Sequence, residues 1–279
     1  MIKDIIVNLL PGAERDTTGD YAISIAELFE AHIAGVAFSY DPVLPASVMG
    51  GLSADVFDNQ RKENEKVATD AITRFEEAAR RSARSVETRL MNATVAGAAD
   101  TFASLARRFD LAVVPQVTPD TIAPDELLME ASLFESGRPI IIVPYIQKAP
   151  INLNRVLCCW DGSRPATRAI NDAMPFLKKA KAVDLVIVGK GKKGKGNERE
   201  LTGVDMGAHL ARHGLQIEVK HIPASDADVA NTVLSYASDC GSDFIVMGGY
   251  GHSRLRQYIF GGATRGILGS MTVPVLMSH

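Results

Sequence analysis

The sequence predicts an α/β protein made of two tandem, doubly wound domains, each on a parallel sheet. Two observations predict it. Short apolar runs rich in β-branched residues alternate with longer amphipathic ones along the chain, as a sheet covered on both faces requires. The pattern also occurs twice. Ile5-Ile6-Val7-Asn8-Leu9-Leu10 corresponds to Val156-Leu157-Cys158-Cys159-Trp160-Asp161, and Phe109-Asp110-Leu111-Ala112-Val113-Val114 to Ser242-Asp243-Phe244-Ile245-Val246-Met247. Arg138-Pro139-Ile140-Ile141-Ile142-Val143 likewise matches Val273-Pro274-Val275-Leu276-Met277-Ser278. The offset falls from about 151 to about 133–135 residues, which one insertion in the first copy, near residues 41–58, accounts for. The linker is Gln147-Lys148-Ala149-Pro150-Ile151-Asn152, giving domains at 1–147 and 153–279.

Each element follows from local periodicity. In the first copy, strands are expected at about 4–10, 33–39, 86–92, 111–115 and 139–145, with helices at about 18–31, 60–84, 96–108 and 125–136. In the second, strands are expected at about 154–160, 183–189, 216–222, 243–248 and 273–278. Its helices are expected at about 163–180, 198–213, 226–240 and 258–270.

Composition narrows the function classes. The net charge of −3 gives no case for bulk nucleic-acid or anionic-membrane binding. No apolar run approaches the roughly 20 residues of a membrane span, and Met1-Ile2-Lys3-Asp4-Ile5 enters a strand without a signal-peptide layout. Three cysteines, two of them adjacent, do not make a disulfide framework, so a reduced, cytoplasmic protein is expected.

The chemistry concentrates where the fourth strand of the second copy ends. Met247-Gly248-Gly249-Tyr250-Gly251 is followed nine residues later by Gly261-Gly262, then by a helix start at Ala263-Thr264. Glycines between a strand and a helix let backbone N–H groups approach an anion, and the helix N-terminus adds its dipole. A phosphate-bearing ligand near 248–264 is the expectation; a tight strand-to-helix turn is the alternative. Asp161 ends the first strand of the same copy. Right-handed crossovers place ligands at strand carboxyl ends where the strand order reverses.

These residues resemble the universal stress protein family in its tandem form. Its G-x2-G-x9-G-[ST] signature reads here as Gly248, Gly251, Gly261 and Gly262; Asp161 matches the aspartate closing the first strand, and Val273-Pro274-Val275 the last strand. The resemblance implies a flavodoxin-like sheet of order 3-2-1-4-5 in each copy, whose first and fourth strands flank the switch point. It further implies ATP or a related adenine nucleotide, with or without Mg²⁺, held by Asp161, Gly162, Val188, Gly248, Gly251, Gly261, Gly262, Ala263 and Thr264. Pairing through the fifth strands is implied as well, as a pseudo-dimer within one chain or a homodimer, with a regulatory protein as a further partner. The expected function is a nucleotide-binding stress-response protein that acts through conformation and partners rather than turnover. A scaffold without nucleotide and a weak ATPase are the alternatives.

There are departures from the family pattern. Gly262 stands where the signature has Ser or Thr, which removes a hydroxyl and weakens binding. In the first copy Leu10 replaces the aspartate and Val114-Pro115-Gln116-Val117-Thr118-Pro119 replaces the glycine loop, so it is read as a degenerate domain without a nucleotide. Leu10-Pro11-Gly12-Ala13 and Asp161-Gly162-Ser163-Arg164 do not match the phosphate loops of adenylyl-transferring or pyrophosphatase relatives.

Lesser candidates have plain alternatives. Gly189-Lys190-Gly191-Lys192-Lys193-Gly194-Lys195-Gly196 outlines a phosphate loop but lacks its final hydroxyl; it reads as a solvated loop whose lysines reach phosphates at most. His209 and His213 have helical metal-pair spacing without a third ligand. His252 and Arg254 are phosphate candidates by position, and Trp160 either borders the base or packs in the core. Cys158 and Cys159 read as buried small residues. The apolar segment 41–58 is a candidate packing or partner surface.

Overall fold

The computed structural model describes residues 1–42, 54–82, 85–117, 124–189, 198–223, 229–249 and 262–279. Contacts divide the chain into two compact units, Ile2–Pro115 with Pro119–Arg138, and Pro139–His279 with Gln116–Thr118 and Met1.

In the first unit, β1 (Asp4–Asn8) lies between β2 (His32–Tyr40) and β4 (Leu111–Pro115), and β3 (Glu87–Ala93) lies beyond β2. All three pairings are parallel, with Ile5 opposite both Ile33 and Leu111. Ile5, Ile6 and Val7 are fully buried, which explains why this strand is a continuous apolar run instead of an alternating one. Helix α1 (Thr17–Phe29) packs on α2 (Ala54–Arg81), and α3 (Val95–Ala106) on α4 (Pro124–Glu135). Asp16 and Thr94 cap α1 and α3, accepting the Gly19 and Gly97 amides. The ring of Phe75 fills the space a side chain would take at Gly35 and Gly19, fixing α2 against β2 and α1.

The second unit holds β5 (Ile140–Val143) and the five strands of the C-terminal half. There β6 (Arg155–Cys159) lies between β7 (Ala182–Val188) and β9 (Phe244–Gly248). Strand β8 (Ile217–Ile222) lies beyond β7 and β10 (Val275–Ser278) beyond β9, so the order is the predicted 3-2-1-4-5. These pairings are parallel, whereas β5 pairs antiparallel with β10, Ile141 opposite Leu276. The sheet is thus mostly parallel with one antiparallel member. The helices are α5 (Arg164–Asp172), α6 (Met174–Leu177), α7 (Glu198–Arg212), α8 (Val229–Asp239) and α9 (Gly262–Ser270).

Three elements differ from expectation. The helix expected at 163–180 is two, because Pro175 has no amide to donate and its ring crowds the preceding turn; the break falls at Ala173. Helix α2 starts at Ala54, so residues 54–58 of the expected apolar loop are helical, while 43–53 lie outside the described residues. The strand expected near 139–145 is present as β5 but groups by its contacts with the second unit, leaving four strands in the first among the described residues.

One polar cluster inside the second unit escaped the sequence reading. Asp184 on β7 is only 1% exposed; Arg155 Nη1 on β6 donates to both its oxygens at 2.8 Å, and the Tyr236 hydroxyl on α8 donates at 3.1 Å. Burial, then the Asp184 charge, pushes the Tyr236 phenol up to about 12. Among the described residues, no helix is long and apolar enough to cross a membrane.

Candidate functional site

Strands β6, β7 and β9 are adjacent and parallel, so their carboxyl ends open on one edge of the second unit. The register runs one step past β6, where the Trp160 amide donates to Val186 O at 2.9 Å. Asp161 follows and is exposed; its Oδ1 accepts the Ser163 amide at 2.9 Å. Gly162 at φ +79° makes the reversal, a backbone conformation that favours glycine. Ser163 then caps α5, its Oγ accepting the Ala166 amide at 3.2 Å.

Val188 ends β7 half-buried, and Gly248 ends β9. Helix α9 begins at Gly262, which is exposed; a Cβ there would meet nothing within 4 Å. Ala263 is half-buried and Thr264 is 5% exposed. Asp161, Gly162, Val188 and Gly248 therefore gather on one strand-end edge. Gly262, Ala263 and Thr264 form the first turn of α9, in the same unit, and of the three only Gly262 is exposed. Gly251 and Gly261 lie outside the described residues, as do Lys190, Lys192, Lys193, Lys195, His252 and Arg254.

Gly248 has a packing role of its own. A Cβ there would sit 2.4 Å from Ala166 N, 2.6 Å from Pro165 C and 2.9 Å from Ala166 Cα, so the first turn of α5 occupies that space. The glycine lets helix and strand approach closely, and the vacated volume faces α5 rather than a ligand.

Trp160 was a candidate in the sequence; the contact of His279 was not singled out there. The indole Nε1 of Trp160 is buried and has no hydrogen-bond partner among the described residues, an uncompensated donor beside Asp161. His279 Nδ1 lies 3.0 Å from Gly249 O, at the start of the glycine segment, where the Gly249 amide donates to Ser278 O at 2.8 Å. The His279 contact does not follow from motif spacing, because it requires the β9–β10 pairing.

The model of the Universal stress protein family matches residues 152–279. Those residues belong to the universal stress protein family. Solved structures agree on the fold of both halves. A universal stress protein from Archaeoglobus fulgidus DSM 4304 superposes with a TM-score of 0.68 at 15% identity, covering 98% of this chain and 94% of that one. A putative universal stress protein from Pseudomonas aeruginosa UCBPP-PA14 does so with a TM-score of 0.62 at 16% identity, covering 99% and 92%. No curated protein sequence matches the chain.

In the universal stress protein domain the adjacent Cys158 and Cys159 are poor nucleophiles. Burial pushes both thiols up, Cys158 strongly and Cys159 to about 12, which leaves them protonated. The His209 and His213 rings meet edge to face with centroids 4.8 Å apart. Among the described residues no group of three His, Cys, Asp or Glu side chains is placed to hold a metal.

After the fourth strand of the first half, Gln116 is held by its own hydrogen bonds. Gln116 is 4% exposed; its Nε2 donates to Leu268 O at 2.8 Å and its Oε1 accepts the Tyr145 amide at 3.3 Å. Its backbone amide donates to Val143 O at 2.8 Å, so backbone and side chain are both engaged within the second unit.

At the corresponding point after β1, Leu10 replaces Asp161, and the Leu10 amide donates to Asp16 Oδ2 at 3.2 Å. Burial pushes the Asp16 carboxyl up to about 6, against bonds from Gly19 and Leu10 that pull it down. A carboxyl raised above its unfolded value of 3.8 contributes stability that is full below that value and lost as pH rises through about 6. Between pH 4 and 7 the stability of Asp16→Asn relative to wild type should therefore rise with pH, by up to about 3 kcal/mol. Urea denaturation at both pH values measures it, and a flat difference would show that the carboxyl titrates normally.

Proposed function

We propose that the second unit binds one adenine nucleotide per chain and that the protein acts through conformation and partner binding instead of turnover. One observation carries this reading: Asp161, Val188 and Gly248 share the edge formed by the carboxyl ends of β6, β7 and β9. In open α/β sheets that edge, where strand order reverses, is the ligand crevice. The first turn of α9 has N–H groups without intrahelical partners and a helix dipole to offer a phosphate, and Gly262 at its start is exposed with open space around it. Asp161, exposed beside a half-buried indole, suits hydrogen bonding to the ribose or base. A Mg²⁺ ion accompanying the nucleotide would be held by its phosphates, where it would neutralise charge.

The first half is proposed as a universal-stress-protein-like partner domain without its own nucleotide. Leu10 offers no carboxylate, and Gln116 is committed elsewhere. The pairing of β10 with β5 supports the intrachain association that the tandem form implies. A scaffold without nucleotide is the second reading, favoured by the way α5 fills the space at Gly248.

Calorimetric titration of the full chain with ATP should give one equivalent, lost in both Gly251→Val and Asp161→Ala. Absence of binding, or binding indifferent to both substitutions, defeats the nucleotide reading. A stoichiometry of two defeats the reading of the first half.

A further inference from the structure

The first unit carries a cleft of about 440 Å³ between the start of α1 and the C-terminal part of α2, separate from the strand-end edge of the second unit. Its walls include Arg15, Asp16, Asp20, Arg74, Glu77 and Arg81. Two of these charges are already matched, since Arg15 Nε bonds Asp20 Oδ2 at 3.0 Å. The Asp16 carboxylate is used by the Leu10 and Gly19 amides. Neither Arg74 nor Arg81 has an ion-pair partner among the described residues. The two are seven residues apart, hence on one face of α2, separated by about 10 Å along its axis.

Arg74 is the unusual member. Its Nε and Nη2 are buried and lack any partner among the described residues. Those two N–H groups lie side by side on one edge of the guanidinium, the edge that takes a carboxylate or phosphate with two parallel hydrogen bonds. A guanidinium does not deprotonate in proteins, so this edge has lost water without gaining an acceptor. Phe75, seated against Gly19 and Gly35, anchors α2 so that Arg74 stays at the cleft wall. Among the described residues no hydrogen bond fixes that edge in its present orientation.

We propose that this cleft binds a small oxyanion-bearing compound, with Arg74 taking the carboxylate or phosphate on its Nε–Nη2 edge and Arg81 adding a second positive charge. Glu14 and Glu77 also line the cleft. They disfavour a bare inorganic anion and favour a compound that carries hydroxyl or amino donors as well. The ligand class is therefore a hydroxylated phosphate ester or a hydroxy- or amino-carboxylate.

The test is calorimetric titration of the full chain with glycerol 3-phosphate and, separately, with L-malate, at matched ionic strength. One equivalent of at least one of them should bind saturably, and which one binds distinguishes phosphate from carboxylate. Arg74→Gln should weaken that binding about ten- to a hundredfold, and Arg74→Lys, which keeps the charge but loses the fork, should recover part of it. Gly251→Val should leave it unchanged, which separates this site from the nucleotide site. If neither probe saturates, or Arg74→Gln binds like wild type, the proposal is overturned. Should circular dichroism show Arg74→Gln unfolded, the exposed Arg81→Gln decides: weaker binding supports the site, unchanged binding overturns it.

Discussion

Gly248→Ala is expected to destabilise the protein by about 3 kcal/mol or more, whether or not a nucleotide is present. The new methyl carbon would lie 2.4 Å from Ala166 N and 2.6 Å from Pro165 C. These are backbone atoms in the first turn of α5, and no rotamer change relieves them. The helix itself must move, yet it buries Ala166, Ala169 and Ile170. Gly262→Ala provides the contrast. That residue is exposed, meets nothing within 4 Å and opens α9, so alanine should change stability by less than about 1 kcal/mol. Gly262 has no positive φ to forbid the substitution, and alanine keeps the amide a phosphate would use. Chemical denaturation of both variants settles the comparison; equal effects at the two glycines would remove the packing argument for Gly248.

Arg155→Met is expected to cost about 3–5 kcal/mol, because it leaves the 1%-exposed Asp184 carboxylate with only the Tyr236 hydroxyl as its side-chain partner. The Asp184 bonds hold the Arg155 guanidinium more firmly charged than usual. Removing both charges is a different matter, since neither desolvation cost then remains. The double variant Arg155→Met/Asp184→Leu should lie closer to wild type than Arg155→Met alone. Denaturant midpoints of the singles and the double form a cycle. Additive losses would show that the pair is not coupled.

The alternation of apolar runs and the internal duplication carried most of the fold. Strand order in the second unit came from the family resemblance, whereas apolar runs such as Val156–Cys158, buried on both faces, say by themselves only that the strand is interior and parallel. What escaped was set by contacts across the sequence. Pro175 was visible as a breaker, but a proline alone does not say whether a helix kinks or divides in two. Asp184 sits in an otherwise apolar strand, and its partner Arg155 is on another strand. Asp161 and Gly248 were legible from spacing; that Gly248 accommodates a helix was not, since spacing carries no depth. Arg74 had no signal at all in a helix rich in charged residues, because its buried edge depends on α1 lying opposite.

The antiparallel pairing of Ile140–Val143 with Val275–Ser278 has a consequence for any dissection of the chain. A cut at the polar linker does not separate self-sufficient modules. It strips the C-terminal piece of the ribbon that shields its last strand, and the bared amides and carbonyls of Val275–Ser278 become sticky. Such a fragment would recruit its own twin edge to edge, exchanging a built-in companion for an acquired one.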